Sequence, residues 1–120
     1  MYELIFWNYT TDTYLNHHLV YEALLENKSV DGLEILPIPI ILNRIANVFS
    51  AWEKVDENSW KNASGQGAFH IKTTPQSIKI DCYGTQGTVM DTLVDILNEY
   101  KCPLYDPEIP ARYDEFYEEE

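Results

Sequence analysis

The sequence predicts an α+β fold: a four-stranded, mostly antiparallel sheet with helices packed on one face. Three observations carry this. Four short runs are rich in β-branched and aromatic residues, the clearest with period-two alternation. Three longer stretches repeat apolar residues at helical spacing. Glycine, proline and Asp-Gly punctuation separates them. A chain of 120 residues is long enough to bury a single core.

The first strand is Tyr2 to Asn8. Tyr2, Leu4 and Phe6 point one way, and Glu3, Ile5 and Trp7 the other. Apolar groups on both sides mark it as central. Asp12 or Thr13, both good N-caps, opens a helix running to about Asn27. Its apolar stripe is Leu15, Leu19 and Ala23, widened by Tyr14, Tyr21 and Leu25. Asp31-Gly32 stops the turn that follows. The second helix has the cleanest pattern: Ile38, Ile41, Leu42, Ile45, Val48, Phe49 and Trp52, with Pro39 in the first turn where its missing N–H removes nothing.

Glu53 to Gly67 reads as a polar loop of roughly 15 residues, near the upper limit for a structureless connection. Trp60 in its middle either packs back on the core or belongs to a binding surface. Residues 68–72 and 77–83 form a hairpin around Thr-Thr-Pro-Gln, in which Phe69, Ile71, Ile78, Ile80 and Cys82 alternate with polar residues. Thr88 opens the third helix with Asp91 as its capping-box partner. Val89, Leu93, Ile96, Leu97 and Tyr100 form the inner face, and Asp91, Asp95 and Glu99 an outer carboxylate row. Pro103 forbids continuation, and residues 104–106 make a last short strand.

The order is β-α-α-β-β-α-β. With the extra helix removed it is the split βαβ pattern of the ferredoxin-like fold, βαββαβ. Right-handed crossovers then place every helix on one face. The other face stays open and carries Ile5, Trp7, His70, Lys72, Asp81, Tyr83 and Tyr105. Residues 1–107 form the single domain, and 108–120 an acidic, aromatic tail.

Eight basic residues against twenty acidic ones leave a net charge of −12. That field repels a nucleic-acid backbone and favours a basic protein partner. No run approaches the roughly 20 apolar residues of a membrane span, and the N-terminus lacks a signal-peptide pattern. The expected site is the cytoplasm, where Cys82 and Cys102 stay reduced. Two cysteines are too few ligands for a metal site. His18 and Glu22 share a helix face without a second helical histidine, and His70 stands opposite Asp81 as a cross-strand pair. There is no phosphate loop and no nucleophile elbow. No enzyme and no cofactor are expected.

Charge density and aromatic content select two candidate partner-binding patches. One is the tail, with Asp106, Glu108, Tyr113, Asp114, Glu115 and Phe116. The other is the polar loop, with Glu53, Asp56, Glu57 and Trp60. Seven carboxylates face one arginine between Asp106 and Glu120.

The segments ELIFW, ILPIPIILNRI, IDCYGTQGTVMDTLVDIL and CPLYDPEIPAR, in this order over most of the chain, resemble the small acidic immunity proteins of bacterial toxin systems, contact-dependent growth inhibition among them. The resemblance implies a cytoplasmic protein that neutralises a cognate toxin domain. A toxin that cuts RNA or DNA has a basic cleft, which acidic and aromatic surface can block. The alternative is a ferredoxin-like regulatory or ligand-binding module that uses its open sheet face, with a homodimer as one way to cover it.

Overall fold

The computed structural model describes residues 2–10, 13–62, 64–109 and 111–112. The chain is α+β, with three helices and an antiparallel sheet among the described residues. The sheet has seven strands rather than four: β1 (Tyr2–Phe6), β2 (Glu53–Asp56), β3 (Ser59–Asn62), β4 (Gly67–Thr74), β5 (Ser77–Tyr83), β6 (Leu104–Asp106) and β7 (Ala111–Arg112). They lie in the order β2-β3-β4-β5-β1-β6-β7. β1 is central, paired with β5 from Tyr2↔Cys82 to Phe6↔Ile78 and with β6 at Ile5↔Tyr105.

The expected loop between Glu53 and Gly67 contains two of the added strands. β2 and β3 form a hairpin that continues the sheet through Trp60↔Phe69 and Ser59↔His70. Its turn is local side-chain chemistry: the Asn58 amide donates to Asp56 Oδ1 at 2.9 Å, an Asx turn. Every β2 residue is exposed, so no period-two hydrophobic pattern announces it. Pairing with β3 forms this strand, not burial.

α1 (His17–Leu25), α2 (Ile38–Val48) and α3 (Gly87–Glu99) do not share a face. α2 and α3 cover Leu4, Phe6, Phe69, Ile71, Ile78, Ile80 and Leu104. α1 covers the opposite face, where Val20, Tyr21 and Leu24 pack on Ile5, Trp7 and Tyr105. The expectation of helices on one face is therefore corrected. Its physical reason was visible in β1, which is apolar on both sides. Leaving Ile5 and Trp7 in water would forfeit about 1.5–3 kcal/mol for each large side chain, so a second layer must cover them.

α1 also begins later than expected. Asn16 is its N-cap, accepting from the Leu19 amide at 3.1 Å. The stripe is rotated accordingly: His17, Val20, Tyr21 and Leu24 are buried, while Leu19 is 65% exposed. Thr13 lies before the helix, and Asp12 falls outside the described residues. α2 matches its periodicity, with Ile41 and Ile45 buried and a proline in the first turn. In α3 the N-cap is Gln86. Thr88 lies inside the helix, where its carbonyl accepts from Thr92 Oγ1 at 2.9 Å, so the Thr88–Asp91 capping box is not formed.

β7 belongs to the segment expected as a tail. It pairs with β6 at Tyr105↔Arg112. The Arg112 guanidinium is sandwiched between Tyr9 and Trp7, at 4.6 and 5.2 Å from the ring centroids. It also donates to the Trp7 carbonyl. Cation–π contact compensates a charge that is otherwise costly to bury.

Cys82 and Cys102 are free and buried. Burial pushes both thiols from 9.0 up to about 11. Burial, then the hydrogen bond to Glu3, raises the Tyr21 hydroxyl from 10.0 to about 12. The folded state thus holds these protons more tightly than the unfolded chain. The thiol contribution is complete below pH 9 and is lost between pH 9 and 11 as the unfolded thiols ionise first, and the Tyr21 contribution is lost between pH 10 and 12. At about 1.4 kcal/mol per pH unit for each group, the loss should reach several kcal/mol. Urea midpoints at pH 8, 9.5 and 11 measure it. A Cys82→Ala/Cys102→Ala variant should lose less over that range, and an unchanged slope would refute the assignment to the thiols.

Candidate partner-binding surface

The hairpin builds the best-defined surface feature. β2 is the outermost strand on its side of the sheet. Glu53, Asp56 and Glu57 are exposed on it and its turn, and Val55 is 58% exposed between them. An edge strand bearing charge resists indiscriminate strand pairing. The Asn58 amide and then the Ser59 hydroxyl hold the Asp56 carboxyl below its usual range, and the positive potential of His70 acts in the same direction. Asp56 is therefore ionised well below neutral pH.

Trp60 anchors the hairpin. It is only 3% exposed and belongs to the core, not to the open surface. One ring face stacks on Phe69, with centroids 5.2 Å apart and planes 15° from parallel. Lys54 Nζ lies over the Trp60 ring at 5.4 Å from its centroid. Between the hairpin and α2 lies a cleft that is broadly open to solvent. Pro39, Leu42 and Ala46 form its helical wall, and Lys54, Glu57 and Trp60 its hairpin wall. Asn43 and Asn58 add amide groups.

The tail patch is divided. Asp106 is 1% exposed. It accepts from the Tyr2 hydroxyl and, at 2.9 Å, from the Glu108 amide. Its carboxylate closes the turn after β6 and is not presented at the surface. Glu108 is exposed. Tyr113, Asp114, Glu115 and Phe116 lie outside the described residues. The hairpin patch is thus exposed apart from Trp60, and the tail patch is described only at Asp106, which is internal, and Glu108, which is exposed.

The expected open face is half covered. α1 takes Ile5, Trp7 and Tyr105. The uncovered half carries a polar row in which Asp56, Ser59, His70, Asp81 and Glu3 are successive register partners across five strands. Ser59 Oγ is hydrogen-bonded to His70 Nδ1 at 2.6 Å. Lys79 Nζ lies 3.4 Å from Asp81 and 3.6 Å from Glu3. The register opposes His70 to Asp81, but the close partner of each is another residue, so the row is no proton relay. His18 bonds Tyr105 at 3.1 Å and approaches Glu22 at 3.5 Å.

In the acidic row on α3, Glu99 is taken up by Arg44, with two hydrogen bonds of 3.1 Å. An exposed pair of this kind contributes about 0–1 kcal/mol. Among the described residues, no group of three or more His, Cys, Asp or Glu side chains is arranged to hold a metal. No described helix is long and apolar enough to cross a membrane.

Comparison with known proteins finds no matching family model, no matching curated protein and no matching solved structure. Three contributors to the cleft were not singled out from sequence: Lys54, Asn43 and the helical wall of α2. Asp56-Glu57-Asn58 between Val55 and Trp60 was the available signal, a turn flanked by two β-prone residues.

Proposed function

We propose that this chain is an immunity protein that binds and neutralises a basic bacterial toxin domain in the cytoplasm, a nuclease above all. The observation carrying this reading is the exposed acidic hairpin, with Glu53, Asp56 and Glu57 around a free edge strand in a chain of net charge −12. Complementary charge steers a basic partner and speeds its association. The cleft behind the hairpin supplies a place for a desolvated anchor. We read the central order β4-β5-β1-β6 as a ferredoxin-like pattern, elaborated by the edge hairpin and by α1 on the second face.

The test is capture of the toxin domain encoded beside this chain by the tagged protein. One-to-one capture that weakens with salt is expected, with the domain toxic when expressed alone. Reversing Glu53, Asp56 and Glu57 to lysine should weaken binding about 100-fold, mainly through the on-rate. Capture that ignores all three reversals would remove the hairpin from the interface. A domain that is neither captured nor toxic would remove the immunity reading.

A further inference from the structure

We propose that the cleft between α2 and the β2–β3 hairpin receives one arginine side chain of the protein partner, which displaces Lys54 from the face of Trp60. The inference rests on the reading of a basic protein partner and names what that partner must insert.

Trp60 has two ring faces. Its register partners are Phe69 on one neighbouring strand, stacked on the ring, and the exposed Lys54 on the other, with its ammonium over the ring. Lys54 is an internal stand-in: it shows that this face accepts a cation. It is also easily removed, because a strongly hydrated ammonium on an exposed stem is held only weakly there. Once it swings outward, Glu53 and Asp56 flank it on its own strand.

An arginine fits the vacated space better than lysine does. Its planar guanidinium is more weakly hydrated and stacks flat on an indole. Glu57, on the hairpin wall, offers a carboxylate for paired hydrogen bonds. Pro39, Leu42 and Ala46 on α2 provide an apolar wall for the methylene stem. The remaining lining groups, Asn43 and Asn58, are neutral, so Lys54 is the only lining residue that repels the incoming charge.

Agmatine, a guanidinium on a butyl stem that ends in an ammonium, is the probe. It is titrated into the full chain while the Trp60 indole N–H resonance is followed by NMR. A saturable millimolar shift is expected, with none from N-(4-aminobutyl)urea, which keeps the ammonium and replaces the guanidinium by a neutral urea. Lys54→Ala should tighten agmatine binding about three- to fivefold, the factor set by one weak exposed cation–π contact. Glu57→Gln should weaken it by a similar factor. Both side chains are exposed, so neither change threatens folding. No shift in the Lys54→Ala protein, or an equal shift from N-(4-aminobutyl)urea, would overturn the proposal. Toxin capture without an agmatine shift sinks this inference alone. An agmatine shift without toxin capture leaves the cation receptor and removes the immunity reading.

Discussion

Arg112→Ala is expected to cost about 3–5 kcal/mol of stability, from the loss of a charged hydrogen bond and a buried cation–π contact. The change empties the space between the Trp7 and Tyr9 rings and leaves the Trp7 carbonyl without its charged donor. A hydrogen bond to a charged group contributes about 1.5–3 kcal/mol, and a desolvated cation–π contact about 2. Arg112→Met should cost much less, because it keeps the volume and has no charge to compensate. Urea denaturation of the two variants separates packing from charge. Equal stability of Arg112→Ala and the parent protein would show that β7 is not an anchor. The result also governs any test of the tail patch by truncation. Truncation after Pro107 removes β7 together with the acidic residues beyond it, so lost toxin binding in the shortened chain reports on folding as well as contact. Point substitution of Glu108, which is exposed, avoids the ambiguity.

Trp60→Ala should be similarly damaging, at about 3–5 kcal/mol for a fully buried aromatic. Its consequences should be uneven. The hairpin has one large core-facing side chain, since β2 is exposed throughout and β3 buries only Trp60. Hydrogen exchange should therefore show amide protection lost across β2 and β3 while β1 and β5 stay protected. Under the proposed immunity function, toxin binding should fall with the hairpin. Trp60→Phe, which retains a ring against Phe69, should recover much of the stability. Uniform loss of protection across the sheet would mean that the hairpin is not a separable unit.

The class and most of the elements were legible because their signals are local. The second helix was found from Ile41, Ile45 and their neighbours, and Pro39 marked its first turn. The hairpin around Pro75 was legible from strict alternation, and the structure pairs it from Ala68↔Tyr83 to Thr74↔Ser77. The β2–β3 hairpin was not legible as strands. Its residues satisfy backbone hydrogen bonds, not a hydrophobic face, and only tertiary pairing with β4 makes that worthwhile.

By itself, the sequence determined the α+β class, the central place of the first strand, the sites of the second and third helices, and the strong acidity. Each follows from periodicity or charge, which need no partner elsewhere in the chain. Only the tertiary structure decided which face α1 covers, that Arg112 is an internal anchor and Asp106 an internal carboxylate, and that Trp60 meets Lys54 beside α2. Those outcomes depend on contacts between residues as far apart in the chain as Trp7 and Arg112, and no local pattern encodes which distant side chain will cover an apolar face or neutralise a buried charge.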